Sequence, residues 1–391
     1  MPWKEQTVTM SRESFICEVL SNNKSKSQLC REYGISRVTG DKWLNRYFAG
    51  ETLSDKSKTP FHVANKTSSD NEQKVLAVRK TYPAWGPRKI HHYLLNKGET
   101  GIPSKSAIGN ILKRNGCITE EASKAATPYK RFQKASSNEM WQTDFKGHFA
   151  MKDGNRCHPL TVLDDYSRYS LCVDAKENEQ RQGVVETFER LFNENGLPDS
   201  LLCDNGNPWG NSQTTGYTMF EVWLMEYGIL PIHGRIMHPQ TQGKEERFHR
   251  TMKAELLSRV EIENMGHAQS CFDNFRACYN NDRPHEALGM RVPSEFYCVS
   301  TRRKPDKIYP WEYPNEFVTR IVKGNGYFSY GNQGYFLSEA LGNKHIAIRE
   351  SVIDNCVDVY FRCFKIAQIN LKERAYTSKR IYRDSDFAAK I

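Results

Sequence analysis

Residues 139–150 read EMWQTDFKGHFA, followed by CHPLTVLDDYS at 157–167 and YSLCVDAKE at 169–177. Each run is short, rich in β-branched, aromatic and aliphatic residues, and bounded by turn formers, as a β-strand should be. Connections this short join antiparallel neighbours. Beyond them the period changes. GVVETFERLFNENG (183–196) is an amphipathic helix, LPDSLLCDNG (197–206) a buried strand ending in a turn, and TMFEVWLMEYG (218–228) a second helix. ILPIHGRIMH (229–238) reads as a short strand leading into a helix at HPQTQGKEERFHRTMK (238–253), and HAQSCFDNFRACYNNDRPHEAL (267–288) adds a helix stopped by proline. Strands and helices in this order give mixed α/β layers over residues 138–298.

Upstream, the chemistry is different. Residues 1–135 carry 24 Lys and Arg against 12 Asp and Glu, and the remainder 32 against 34, so the first third holds the whole net charge of +10 and more. Such an excess favours a polyanion, most simply nucleic acid, because Lys and Arg gain affinity by releasing phosphate counterions. A basic but merely soluble surface has the same charge. Residues 11–48 contain three short helical patterns, and Gly34-Ile35-Ser36 supplies a tight turn with Ser36 as N-cap of the third. That helix carries Arg37, Thr39, Lys42 and Arg46, groups suited to phosphates and base edges, beside packing residues Trp43 and Leu44. A plain helical bundle shares the pattern. Residues 51–69 form a polar linker, and residues 70–118 a second three-helix unit with Pro87 in a first turn, Ser104 as cap and Arg88, Lys105, Lys113 and Arg114 offered to a polyanion. Residues 119–137, with Lys130 and Arg131, make a basic linker.

Past residue 300, short β-rich runs alternate with Gly and Asn, and Asn325-Gly326 and Gly331-Asn332 are hairpin signals. A small β-barrel over residues 310–372 is expected. The eleven cysteines are scattered with no CxxC pair, which fits buried thiols in a reducing compartment. His91 and His92 with Cys117 lack the second cysteine pair that a zinc site would need. No apolar run reaches the roughly 18 residues of a membrane span, and a cytoplasmic protein is expected.

The acids carry the chemistry. Asp144 lies inside the first strand of the α/β region, and Asp204 ends another, where functional groups of α/β sheets gather. A glutamate from the helix at 243–253 would complete a cluster of three carboxylates, which low dielectric tolerates only with cations present. Magnesium suits such oxygen ligands and phosphate substrates, and two ions can serve one in-line displacement at a phosphodiester. Asp164-Asp165 is the bland counterpart, two acids at a hairpin turn, solvated or bonded to Arg168.

Together WQTDFKG, LLCDNGNPWG, HPQTQGKEERFHRTMK and YNNDRPHEAL resemble the integrase core of DDE transposases from bacterial insertion sequences, which is similar in plan to retroviral integrases. LCREYGISRVTGDKWLNRY resembles their N-terminal helix-turn-helix, and FLSEALGNKHIAIRE fits their small C-terminal β-domain. The resemblance implies a multidomain α and α/β protein with two helix-turn-helix units, a ribonuclease-H-like core and a C-terminal β-barrel.

It further implies Asp144, Asp204 and Glu246 as catalytic and metal-binding residues, Asp144 shared between two Mg²⁺ or Mn²⁺ ions. The family glutamate follows the glycine of PQTQG by three positions, which is Glu246 here. At about 100° per residue, Arg250 and Lys253 share the face of Glu246, while Glu245 falls on the inward stripe with Met252 and Leu256. Relatives place an aliphatic residue at that position, so Glu245 costs packing there unless its carboxylate escapes to solvent in the first turn, where the helix dipole favours an acid, and it is read as a helix-terminus substitution. Val38 and Asp41 depart from the more basic or aromatic residues of the family's recognition helix. His249 sits near substrate or is a helix-surface histidine without a catalytic part. Asn280, Arg283 and His285 are read as structural, bridging core and C-terminal domain, and Trp141 and Trp209 as packing. The implied reaction is DNA strand cleavage by water and transfer of the freed 3′-hydroxyl into target DNA. Its partners are double-stranded DNA (terminal inverted repeats and target) and at least a second copy of the chain on DNA, with no membrane, in the cytoplasm and at the nucleoid when bound. A DNA-binding regulator, or a nuclease of the same fold that never joins ends, shares many of these features.

Overall fold

The computed structural model describes residues 7–56, 67–118, 133–206, 208–210, 216–234, 243–373, 375–378 and 381–384. By packing, the chain falls into two units, Met1–Lys66 and Thr67–Ile391.

The first unit is three helices, α1 (Val8–Leu20), α2 (Lys26–Glu32) and α3 (Arg37–Phe48). The hydroxyls of Thr7, Ser25 and Ser36 cap them by accepting from the backbone N–H three residues on. Gly34 turns the chain between α2 and α3 at φ +65°, a left-handed conformation costly for other residues. Phe15, Ile16, Leu29, Cys30, Trp43 and Leu44 form the core.

The second unit begins with α4 (Ser69–Thr81), α5 (Pro87–Asn96) and α6 (Lys105–Arg114). Ser68 and Ser104 cap α4 and α6, and Pro87 opens α5. These helices close over Val75, Trp85, Ile90, Leu94, Ile108 and Leu112. They are seated on the α/β layer: Cys278 joins their apolar cluster, and Lys97 pairs with Asp282 at 2.9 Å.

The layer itself is one mixed sheet of β1 (Trp141–Phe145), β2 (Phe149–Ala150), β3 (Arg156–Asp164), β4 (Ser170–Lys176), β5 (Ser200–Cys203) and β6 (Leu230–His233). β3 runs antiparallel to β1 and β4, whereas β5 is parallel to both β1 and β6. Alternation along β1 divides its side chains between two faces. Trp141 and Phe145 pack with α7 (Arg181–Asn195) and α8 (Met219–Glu226) through Phe188, Phe192 and Phe220. Gln142 and Asp144 therefore face the other layer, α9 (Gly243–Met252) and α10 (Met265–Asn281), whose core holds Phe248, Met252 and Phe272. A single π-helical turn, Lys253–Leu257, follows α9.

The C-terminal region contains β7 (Val318–Ile321), β8 (Tyr327–Tyr330), β9 (Gln333–Phe336), β10 (His345–Glu350), β11 (Cys356–Phe361), β12 (Phe364–Asn370), β13 (Ala375–Ser378) and β14 (Tyr382–Arg383). The hairpin turn is built as expected, with Gly331 and Asn332 both at positive φ. The expected barrel is not. β13-β12-β11-β10-β7 is an open sheet with β14 on β12, and β8–β9 stand apart as a two-stranded sheet. The apolar face is covered by Phe328 and Tyr335 of that hairpin and by Val222 and Met225 of α8, so closure of the sheet on itself is not needed to bury it. Among the described residues no helix is long and apolar enough to cross a membrane.

Candidate active site

Parallel pairing of β1 with β5 sets Trp141 against Leu201 and Gln142 against Leu202, and the same register continued brings Asp144 level with Asp204. Both stand at the carboxyl end of the parallel β1–β5 pairing, Asp144 still held on its other side by β3 and Asp204 just past the end of β5. Asp204 is exposed, and its Oδ1 accepts from the Asn205 N–H at 2.7 Å. Asp144 is more enclosed. Burial pushes its carboxyl up to about 7, the Phe145 N–H opposes this, and the charge of Asp204 adds to the rise. These two acids feel one another and have few donors between them.

Helix α9 crosses this face. Glu245, Phe248, His249 and Met252 form its buried stripe, as the period requires. Glu245 does not escape to solvent, contrary to expectation: it is 0% exposed. A neighbour on β3 explains why. Thr161, paired with Asp144 across the ladder, has its Oγ1 3.0 Å from the Asp144 carbonyl oxygen, 3.0 Å from Glu245 Oε2 and 2.8 Å from His249 Nε2. One hydroxyl owns one proton, so a threonine that donates to the carbonyl must accept from Glu245 or His249. Burial, then the charge of Asp144, drives the Glu245 carboxyl well above the usual range. His249 is held neutral, at about 3, by burial and by Lys146. A neutral Glu245 donating to Thr161 satisfies the set, although its Oε1 has no partner.

Glu246, one residue on, is exposed and makes no hydrogen bond or ion pair among the described residues. On the helix it lies about 60° from His249, whose Nδ1 is 4.0 Å from Asp144 Oδ2. Among the described residues no three His, Cys, Asp or Glu side chains stand close enough together to hold a metal ion. The residues preceding α9, His238 and Gln242 included, lie outside the described residues.

Asp164 and Asp165 correct the sequence reading in another way. Neither is solvated, both being 0% exposed, and Arg168 bonds to neither: it reaches Gln133 and the Tyr166 carbonyl. Asp164 accepts from Asn138 N at 2.8 Å, Ser167 N at 2.8 Å and Ser167 Oγ at 2.6 Å. Asp165 accepts from Gln142 Nε2 at 2.5 Å, from Lys134 N at 2.8 Å and from Lys244 Nζ. Lys244 thereby pins the first turn of α9, a role the sequence hides because a lysine there opposes the helix dipole.

The polar motif residues and the aromatics fall where packing needs them. Asn280 brackets the Ser170 backbone with two bonds of 2.9 Å, and Arg283 holds Glu255 at 3.0 Å. Their loop meets α5, with Arg88 3.6 Å from Glu286, so the motif bridges core and second helical unit, not core and C-terminal region. Trp141 bonds Asn138, and Trp209 packs between Phe145 and Phe220.

Of the expected DNA contacts, Arg37, Lys42, Lys105, Lys113, Arg250 and Lys253 are exposed and make no ion pair among the described residues. Thr39 shares a hydrogen bond with Ser36 Oγ at 2.8 Å. Arg46 is 3.7 Å from Glu51, and Arg114 bonds Glu72. Lys130 and Arg131 lie outside the described residues.

Residues 134–239 match the Integrase core domain family, and residues 227–293 match a second family of the same description. Together the two matches span residues 134–293, from just before β1 to the loop after α10. The first takes in Asp144 and Asp204, and the second takes in α9. Residues 39–112 match a Homeodomain-like domain, a span that opens in α3 and ends in α6. The likeness extends to mobile-element proteins. The chain is 25% identical over 258 residues to the uncharacterized 31.7 kDa protein of insertion element IS407 of Burkholderia multivorans, covering 61% of this chain and 86% of that one. It is 26% identical over 231 residues to the transposase InsD of insertion element IS2 of Escherichia coli, covering 55% and 73%. Among solved structures, the HTLV-2 integrase catalytic core domain in complex with magnesium matches 42% of this chain and 99% of that one, at 17% identity and a TM-score of 0.33.

Proposed function

We propose that this chain is a DNA transposase that binds the ends of its mobile element, cleaves a strand and transfers the resulting 3′-hydroxyl into target DNA. The observation that carries the reading is the pair Asp144 and Asp204, level on adjacent parallel strands, with Asp144 pushed up to about 7 by burial and by the charge of its neighbour. Two under-satisfied carboxylates at such a place are suited to a cation. Their likeness to insertion-element proteins gives the substrate class.

In this reading Asp144, Asp204 and Glu246 would hold Mg²⁺ or Mn²⁺, with Glu246 brought in to the acid pair by the bound cation. Bound ions of this kind activate an attacking oxygen and stabilise the leaving one. Glu246 is the third ligand because its carboxylate is free and faces solvent, whereas Glu245 is sealed and engaged with Thr161. His249, neutral and against Asp144, keeps water from that side of the carboxylate without adding charge.

Arg37, Thr39 and Lys42 on α3, and Lys105 and Lys113 on α6, read the element end, while Arg250 and Lys253 beside the site hold backbone phosphates. Arg46, Arg88 and Arg114 join them by exchanging a carboxylate for a phosphate. Two ends must be joined in one event, so the active form is a homodimer or larger on DNA, acting at the nucleoid.

Strand transfer tests this directly, with Mg²⁺ and donor DNA taken from either side of the gene. Joined products should form with the wild type and with Glu245→Gln, and vanish with Asp204→Asn and Glu246→Gln. DNA binding without any metal-dependent product would replace the reading with a regulator, cleavage without joining with a nuclease. Loss with Glu245→Gln but not Glu246→Gln would exchange the two glutamates.

A further inference from the structure

The turn that follows Asp204 is held by groups that the reaction above does not use. β5 and β6 pair up to Cys203 and His233, so Asp204 is the first residue past the ladder and the sheet no longer fixes its peptide. His233 takes over. Its Nδ1 is 2.9 Å from the Asp204 carbonyl oxygen, and its Nε2 is 2.9 Å from Glu221 Oε1. A carbonyl and a carboxylate are both acceptors, so the ring donates from both nitrogens.

Glu221 is itself fixed. It is 6% exposed, and its Oε2 accepts from Thr218 N at 2.6 Å in the capping box that opens α8. The opposite side of the ring is closed by the same turn: a Cβ on Gly210 would lie 2.7 Å from His233 Cε1, so only glycine lets the backbone come that near. Asn205 Nδ2 reaches the Gly234 carbonyl at 2.7 Å, and Thr218 Oγ1 reaches that of Trp209 at 3.1 Å. The Asp204 turn is thus stitched to the residues after β6 and to the start of α8.

We propose that His233, oriented by the buried Glu221, is a positioning residue that grips the Asp204 carbonyl and fixes the direction in which the Asp204 carboxylate leaves the sheet. The inference rests on Asp204 being a metal ligand of the proposed site. It touches neither substrate nor metal. Groups of this kind that orient a ligand from behind typically alter metal affinity or activity about 10–100-fold when removed.

The test uses the full chain with Mn²⁺ as the probe. Mn²⁺ affinity is measured by titration without DNA, strand transfer is followed against Mn²⁺ concentration, and melting temperature and DNA binding are recorded in parallel. His233→Phe should fold and bind DNA as the wild type does, while its Mn²⁺ dissociation constant and half-activating concentration both rise about tenfold. Glu221→Gln, which keeps the size of the side chain, should raise both less, and serves if His233→Phe does not fold. A lower melting temperature with unchanged Mn²⁺ affinity in the folded protein would reduce His233 to a structural part and overturn the proposal. If the wild type joins no DNA yet loses Mn²⁺ on Asp204→Asn, the transposase reading falls, and the Mn²⁺ titration of His233→Phe still decides the positioning role. Mn²⁺ binding indifferent to Asp204→Asn overturns both.

Discussion

Two pairs of acids on one sheet have opposite fates. Asp164 and Asp165, at the end of β3, are wholly buried, yet each is met by donors from Asn138 and Ser167 or from Gln142, Lys134 and Lys244. Asp144 and Asp204 are less buried, and among the described residues they are met by little besides the Phe145 and Asn205 N–H groups. Burial is therefore not what separates the two pairs. Satisfaction is: a carboxylate whose lone pairs are filled by fixed donors is part of the frame, and one left short is ready for a ligand.

Asp144→Asn breaks the comparison hardest. The variant should lose strand transfer by about 10³-fold or more, roughly 4 kcal/mol of transition-state stabilisation, while its melting temperature holds or rises because a crowded charge has gone. A melting temperature that falls with activity would place Asp144 with the structural acids instead. The measurement is product formation per folded protein beside a thermal melt.

Asp165→Ala should do the reverse. It removes the buried carboxylate to which Lys244 Nζ, 16% exposed at its side chain, donates along with Gln142 Nε2 and the Lys134 N–H. Removing one partner of a buried ion pair costs about 3 kcal/mol or somewhat more, so the urea midpoint should drop markedly. Whatever activity is lost should follow the folded fraction. An unchanged midpoint would mean that those donors find water, and that satisfaction was not what held Asp165 in place.

These fates were unevenly legible in the sequence. Ser36, Ser104 and Pro87 act within one helical turn, so local chemistry announced them. Asp144 and Asp204 stood out by their places on strands, and the sheet sets those two places level with one another. The inward stripe of α9 also followed from periodicity, Glu245 included. What failed was its escape to solvent, because the group that accommodates it, Thr161, belongs to another strand 84 residues away. Asp164-Asp165 looked like a solvated turn because, apart from Ser167 of the turn itself, its donors come from β1, α9 and the chain before β1. The barrel failed likewise: hairpin signals are local, but whether a sheet closes depends on what else covers its face, and here the β8–β9 hairpin and α8 do so.

The comparison extends to cations, where the effect is smaller and depends on pH. Lys89, on α5, has no hydrogen bond or ion pair among the described residues, and burial together with the charge of Arg283 pulls its amine down to about 8. The folded state then binds fewer protons than the unfolded one between about pH 8 and the ordinary lysine value near 10.4. Wild-type stability should rise with pH across that window, since unfolding takes up protons there, and the full penalty remains below pH 8. Lys89→Met keeps the length of the stem and discards the charge. It should melt higher than the wild type at pH 7, with the gap narrowing as pH climbs toward 10. A gap that is constant with pH would trace the gain to packing alone. A variant that melts lower at pH 7 would show that Lys89 finds in Glu255 or Glu286 the compensation that Asp144 lacks, and would place it with Asp165 among the charges the frame has satisfied.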